Sequence, residues 1–369
     1  MLLSSHSPTG GFGVSERRLH RTRPERLFLA VPKWRDRGVM QAYIIRRVLL
    51  NFLVIFLVAT FVFLALRIDS SEVVSRQAAA CTGNQTSGGT GGDECKKIAK
   101  AELGLDKSLP AQYVEYMTDL AQLDFGNSFK SKNPVLNEIK DRAGPTIELG
   151  LLQLLVAVIV ATPVGIISAI RQDSWIDYGL RFFSIFFLGI PVFVVAIIVI
   201  VVSARFGGDT LSDWFGPHSS YASITSDPAT NLKAMLAPAL IGGLGTGAVI
   251  MRFLRSQMLE VLRQDYVRTA WSKGLKERAI IIRHALKNAL IPVLTLIGIL
   301  LGGIVSGNVV LEYIYTIPGM GNYIVFAVAQ NPDFPVIQGV VIVVAVVLVF
   351  INLLVDILYG WLDPRIRYS

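Results

Sequence analysis

Six apolar blocks punctuate the chain, at about residues 44–66, 146–170, 182–202, 232–253, 290–310 and 336–359. Each is long enough to carry a helix across a bilayer, which takes about 20 mostly apolar residues. Arginine and lysine concentrate in the segments 1–40, 171–181, 254–289 and 362–369. Basic segments beside spans face the cytoplasm, so both termini are expected there. The pattern predicts an all-α integral membrane protein of six transmembrane helices. Its parts are a basic tail over 1–40, expected to be disordered, and a first transmembrane helix over 41–66. An extracytoplasmic segment, 67–144, follows. A five-helix core then covers 145–361, with a cytoplasmic loop at 254–289, and a tail over 362–369. Met40 opens MQAYIIRRVLL, a natural start for a membrane protein, so the tail reads as an optional extension or an upstream start.

Local signals refine the elements. Pro163 and Gly165 interrupt the second block, and Gly189 and Pro191 sit mid-way in the third. Proline inside a membrane helix marks a kink. Outside, helical periodicity appears over 96–103 and 110–123, with Pro110 suited to a first turn. Tyr113, Val114, Met117, Leu120 and Leu123 form one apolar face, expected to pack on the membrane part. The run GGLGTG at Gly242–Gly247 lacks the Lys-Ser/Thr of a phosphate loop and lies in an apolar block. It reads as small residues for close helix packing, as do the pairs Gly298/Gly302 and Gly303/Gly307. A Pro-Gly-x-Gly turn occupies Pro318–Gly321.

Composition agrees with the pattern. Hydrophobic residues make up 52% of the chain, mean hydropathy is +0.53 and only 17% of residues are charged, against about 25% in soluble domains. The net charge of +8 belongs to the cytoplasmic segments and membrane lipid, and no nucleic-acid partner is expected. Cys81 and Cys95 share the extracytoplasmic segment. They form either a disulfide closing a short loop or two free thiols. No histidine lies near them, and no metal site is expected.

Catalytic signatures are missing. There is no HExxH pair, no nucleophile elbow (303–307 reads GIVSG) and no Walker A sequence. The chain reads as a non-catalytic subunit. Few ionisable residues fall inside the blocks, unlike the carboxylate-bearing spans of many ion-coupled carriers. Glu148, Glu312 and Asp356 stand near block ends. Glu148 and Glu312 are candidates for a substrate path; the alternative is carboxylates hydrated at head-group level. His218 reads as a solvated loop histidine.

The polar island DYVRTAWSKGLKERAIIIRHALKNALIP, Asp265–Pro292, separates the fourth and fifth blocks. Ala270 and Gly274 fall one helical turn apart, both small, which opens the backbone to a partner. The island resembles the EAA-type loop of ATP-binding cassette (ABC) importer permeases. YVRTAWSKGLKERAIIIRHALKNALIPVLT, VVLEYIYTIPGMGNYIVFAVAQNPDFPVIQG and LGLDKSLPAQYVEYMTDLAQLDFGNSF, the last followed by TIEL, are similar to the dipeptide/oligopeptide (DppB/OppB-like) branch. Together they cover most of residues 46–368. His284 stands where the general pattern has an aliphatic residue, and the proline expected near Lys287 comes only at Pro292. The Gly-rich stretch around Cys81 and Cys95 reads as an insertion.

The resemblance implies a type I ABC importer permease fold and half of a translocation pathway for di- or oligopeptides. It implies a second homologous permease subunit, two ATPase subunits that bind ATP and Mg, and an extracytoplasmic peptide-binding protein. By the same resemblance the ATPase-coupling residues are Asp265, Tyr266, Arg268, Ala270, Trp271, Lys273, Gly274 and Leu275. Import of nickel or glutathione by a related permease stays open as an alternative, as does, in another class, an ion-coupled secondary carrier.

Overall fold

The computed structural model describes residues 37–68, 74–75, 96–97, 100–101, 105–218, 220–329 and 332–362. The region 1–36, the tail 363–369 and both cysteines, Cys81 and Cys95, lie outside them, so the disulfide expectation falls outside the described residues.

Apart from one isolated β-bridge between Asn127 and Pro134, the regular structure described is helical. In chain order the main helices are α1 (Arg37–Ile68), α2 (Leu109–Ala121), α3 (Val135–Ile170), α4 (Trp175–Gly189), α5 (Val192–Phe206), α6 (Gly208–Phe215) and α7 (Pro228–Leu262). After them come α8 (Asp265–Ser272), α9 (Lys287–Gly307), α10 (Val309–Ile314), α11 (Met320–Ala329) and α12 (Phe334–Leu362). A single turn, Glu277–Ala279, and a π-helical stretch, Ile280–Leu286, lead into α9. Five helical stretches are long and apolar enough to cross a membrane: Ile45–Arg67, Val135–Ile170, Pro228–Leu262, Glu277–Gly303 and Phe334–Ile357. The protein is a multi-pass membrane protein.

The third block departs from a straight span. It is two helices, α4 and α5, bent by 101°. Pro191 has no N–H and its ring excludes a helical predecessor; Ile190 accordingly is extended, at φ −94° and ψ 126°. Pro145 and Pro163, by contrast, sit inside an unbroken α3, so the interruption expected at Pro163 is absent. The difference lies in packing. Gly165, two residues past Pro163, nests against α7, where an added Cβ would stand 3.1 Å from the Met251 carbonyl oxygen. Neighbouring helices hold such a segment helical despite the lost hydrogen bond.

Other boundaries shift as well. The helix α1 begins within the expected tail, at Arg37, and α3 begins within the expected extracytoplasmic segment, at Val135. Most of the expected loop 171–181 is helix, because Ser174 caps α4. Likewise, the second half of the island, from Glu277, already belongs to an apolar helical stretch. Of the expected apolar face, Tyr113, Met117 and Leu120 are half-buried, whereas Val114 on α2 and Leu123 just past its end are 61% and 63% exposed. Gln112 and Tyr116 join Tyr113 in packing. Phe63 of α1 sits 5.3 Å from the Tyr113 ring and 5.4 Å from the Tyr116 ring, and Arg67 donates to Gln112.

The centre of the bundle is the α3–α7 pair. On α7, a Cβ at Gly242 would meet the Gln153 side chain at 2.6 Å, one at Gly243 Val156 at 2.6 Å, and one at Gly247 the Ala157 backbone at 3.3 Å. The glycine run therefore serves helix packing, as its composition indicated. Ala157, Ala161, Ile250, Met251, Leu254 and Met258 close the seam, and Ala285, Ala289 and Val293 join it from the island side. Gly298 packs on Val355 of α12. A Cβ at Gly303 would meet nothing within 4 Å, so the second small-residue pair is not used the same way. Around the rim, α1 lies along α12, where Arg47 and Asp356 pair at 2.8 Å.

Gly243→Val and Gly245→Val separate these roles. A Cβ at Gly243 collides with Val156 and with the Gln153 backbone, whereas one at Gly245 has open space. Gly243→Val is expected to cost about 1–3 kcal/mol from overpacking, read as a lower melting temperature in mild detergent. Gly245→Val is expected to melt within a degree or two of the parent, about the scale of a small surface effect. Equal melting of the two variants would refute the seam.

Candidate functional site

The island folds into a short helix and a turn. α8 ends in a paired cap: the Gly274 amide donates to the Trp271 carbonyl at 2.9 Å and the Leu275 amide to the Ala270 carbonyl at 3.4 Å. This is a Schellman arrangement, which places the residue after the cap in the left-handed region. Gly274 occupies it, at φ +71°. A Cβ there would meet nothing within 4 Å, so glycine is required by conformation and not by crowding within this chain.

Ala270 is 6% exposed and packs with Val267 and Ile280. The expectation that Ala270 and Gly274 share one open helical face is therefore corrected. Ala270 faces inward, and Gly274 stands beyond the helix end. Outward from α8 point Tyr266 (44% exposed), Trp271 (49%) and Leu275 (41%). Asp265 and Arg268 are exposed and pair at 3.8 Å, a spacing that adds little in water. Lys273 is also exposed, at the cap. Seven of the eight candidate residues thus lie on the surface, three of them large aromatic or aliphatic side chains.

The helix α8 is anchored on two sides. On one, α7 runs into α8 through Arg263 and Gln264. On the other, the Asn288 amide donates to the Tyr266 hydroxyl at 2.8 Å and to the His284 carbonyl at 3.0 Å. His284 lies in the π-helical stretch, and such turns occur mainly as local insertions within α-helices.

A buried ionic clamp stands two turns back along α7. Arg255 grips Asp177 with both arms, Nε to Oδ1 at 2.9 Å and Nη2 to Oδ2 at 2.8 Å. Ser168 of α3 donates its hydroxyl to the same carboxylate, the Asp173 amide donates at 3.0 Å, and Arg181 adds an ion pair at 3.2 Å. The Asp177 side chain is fully buried. Its own amide donates to Ser174 Oγ, so one residue serves both the cap of α4 and the clamp. Sequence reasoning missed this cluster. The spacing Ser174-x-x-Asp177 was the available signal.

The two carboxylates proposed for a substrate path head separate networks. Glu148 is half-buried and accepts from the Tyr221 hydroxyl at 2.6 Å. Glu312 is fully buried, which corrects the hydrated reading. Its Oε2 accepts from the Asn322 amide at 3.0 Å, and Thr146, which bonds it, also receives the Met320 amide at 2.8 Å. A Cβ at Gly319 would fall 2.6 Å from Thr146 Oγ1 and inside the Glu312 carboxyl. The Pro318–Gly321 segment thus wraps this side chain. Burial pushes the Glu312 carboxyl above the usual range. Glu312 and Thr146 also line a cavity of about 210 Å³ whose other walls include Val309, Ile324 and Val340. His218, expected in solvent, is half-buried, and its carbonyl accepts from Thr316.

Two family models match. One, described as the binding-protein-dependent transport system inner membrane component, covers residues 161–368, and one for the N-terminal part of such membrane components covers 40–150. A probable peptide ABC transporter permease protein of Sinorhizobium fredii is 35% identical over 329 residues, 89% of this chain and all of that protein. The dipeptide transport system permease protein DppB of Alkalihalophilus pseudofirmus is 38% identical over 280 residues, 72% of this chain and 84% of the relative. Its Escherichia coli counterpart is 37% identical over 286 residues, 73% and 84%.

Two substitutions test the buried acids. Asp177→Asn leaves the Arg255 guanidinium without its charge partner, and is expected to cost about 3–5 kcal/mol, seen as a lower melting temperature. Glu312→Gln keeps an acceptor for Asn322 but cannot ionise. The Glu312 carboxyl has a raised folded pKa, so the stability it contributes is present at low pH and lost as pH rises through that value. The Gln variant is therefore expected to melt like the parent at low pH and above it at high pH. A parallel pH dependence for both proteins would contradict this.

Proposed function

Because the chain belongs to the family of binding-protein-dependent transport system inner membrane components, we propose that it forms half of the translocation pathway of an ATP-driven importer of di- and oligopeptides. Support for the cargo class comes from the relatives, whose names are those of peptide and dipeptide permeases. In this reading the chain is a non-catalytic transport subunit of type I permease fold, with six spans when the bent α4–α5 pair counts as one. Both termini face the cytoplasm and 67–144 faces outward, as the basic segments indicate. A second homologous permease completes the pathway. A peptide-binding protein delivers cargo from outside, and two ATPase subunits hydrolyse ATP with Mg on the inside.

The observation that carries the coupling role is the exposure of the large side chains Tyr266, Trp271 and Leu275, with Asp265, Arg268 and Lys273 also on the surface, on and just after a short helix held to the bundle by Ile280 and Asn288. Aromatic side chains on an exposed, anchored helix are the kind that dominate binding energy at interfaces. Gly274 gives the turn its shape, and Ala270 locks α8 to Ile280. A push from an ATPase on α8 then travels along α7 into the clamp at Asp177 and the α3–α7 seam.

Trp271→Ala tests the coupling role without touching buried groups. In proteoliposomes holding all subunits, ATP-driven peptide uptake is expected to fall about tenfold or more, a hot-spot loss, with the chain still inserted and folded. Gly274→Trp is expected to prevent ATPase assembly altogether. Normal uptake by both variants would sink the coupling role of α8, and uptake of no peptide by the parent complex would sink the cargo class.

A further inference from the structure

A cavity of about 370 Å³ opens at the end of the bundle opposite α8. Its walls include Arg67 at the end of α1, Asn127, Phe129 and Lys132 from the segment between α2 and α3, and Phe334 and Gln338 from α12. No carboxylate lines it. The nearby Asp333 is spent on local bonds: Oδ2 accepts from the Ser128 hydroxyl at 2.7 Å and Oδ1 from the Val336 amide at 3.4 Å.

Three donor side chains line this space. The Arg67 guanidinium donates through Nε to Gln112 at 2.8 Å and lies 5.1 Å and 5.8 Å from the ring centres of Phe63 and Phe334. Among the described residues, no carboxylate pairs with it. The Gln338 Nε2 amide is buried and bonds nothing. Lys132 is exposed at the rim, on a backbone held at φ +61°. A guanidinium partly stripped of water, with a second cation beside it, binds an oxyanion well. Unpaired buried donors are costly unless something fills the site.

The depth of the cavity identifies the anion. The apolar stretch of α1 ends at Arg67 and that of α12 begins at Phe334, so both meet the cavity at the boundary between hydrocarbon and water. Each is about 23 residues long, or roughly 34 Å at 1.5 Å per residue, close to the hydrocarbon thickness of a bilayer. These two stretches are also the least covered of the five, 17% and 11% buried, so this corner of the chain faces lipid most openly. We propose that the cavity bounded by Arg67, Lys132 and Gln338 binds the phosphate of an anionic phospholipid head group. Arg67 and Lys132 hold the phosphate oxygens, Gln338 donates a further hydrogen bond, and Phe129 and Phe334 receive the glycerol and upper acyl carbons. Two cations with no facing carboxylate disfavour a head group that carries its own ammonium.

The test is native mass spectrometry of the full chain, purified in mild detergent and offered phosphatidylglycerol, phosphatidylcholine with the same acyl chains, or soluble glycerol 3-phosphate. The parent is expected to retain phosphatidylglycerol over phosphatidylcholine. Lys132→Asn suits the left-handed backbone and leaves packing untouched; it is expected to weaken retention about fivefold, the worth of one surface cation near lipid. Arg67→Gln is expected to weaken it at least as much. Lys107→Asn, which removes an exposed cation paired with Glu115 away from the cavity, is expected to change nothing. Unaltered retention by Lys132→Asn and Arg67→Gln would overturn the site. Equal retention of phosphatidylcholine would overturn the preference for an anionic head group. Displacement of the lipid by equimolar glycerol 3-phosphate would make it a site for a soluble anion instead.

Discussion

The close approach of α3 and α7 is the constraint on which the rest of the bundle depends. In a bilayer, apolar side chains gain little by leaving lipid for each other, so helices associate through packing. Gly242, Gly243 and Gly247 bring the backbone of α7 onto Gln153, Val156 and Ala157, and Gly165 returns the favour from α3. The result is a rigid pair. α7 is the most covered of the membrane-crossing helices, 61% buried, and α4, α9 and the island attach to its flanks. A Cβ at Gly243 would collide with Val156 and the Gln153 backbone, and one at Gly165 or Gly247 would press on the partner helix at 3.1–3.3 Å.

Packing alone leaves such a pair free to slide or rotate slightly, and the clamp at Asp177 removes that freedom. Its bidentate bond to Arg255, with Ser168 from α3 and the Asp173 amide, fixes α3, the start of α4 and α7 at one point. A buried ion pair contributes little net stability because both ions lose water. Its value here is geometric: a planar guanidinium meets a carboxylate in one orientation only. Arg255 lies two helical turns before the end of α7, and a break at Arg263–Gln264, with Gln264 extended at φ −73° and ψ 148°, separates that helix from α8.

Much of this architecture was legible in the sequence. The apolar blocks located the five crossing helices, since that signal is a long continuous run, but not their polar ends: Val135, Leu262 and Glu277 lie well outside the blocks at 146–170, 232–253 and 290–310. The glycine run was read as close helix packing and serves it, whereas of the expected Pro318–Gly321 turn only Gly319 bends, and Met320 and Gly321 open α11. What stayed hidden depends on partners far away in the chain. Asp177 reads as a loop charge until Arg255, 78 residues on, comes beside it. Ala270 reads as an opening for a partner until Ile280 fills it. Pro163 and Pro191 carry the same local signal, yet one sits in straight helix and the other at a right-angled break. Only the packing around each decides. Glu312 was noticed for its charge, but its burial needed the segment Pro318–Gly321 to fold over it.

The island itself is attached asymmetrically. Toward α7 it joins through the short break at Arg263–Gln264, beyond which α7 leads to the clamp at Arg255. Toward α9 it joins through the π-helical stretch Ile280–Leu286, whose hydrogen bonds span five residues and pack less well than an α-helix's. There the His284 carbonyl is held by the Asn288 side chain, which also holds Tyr266 of α8. The two attachments differ in kind: a two-residue break with Gln264 extended on the α7 side, and on the α9 side a π turn braced by the Asn288 side chain and by Ile280 packed on Ala270. Beyond that turn, α9 has its own packing on α12 through Gly298.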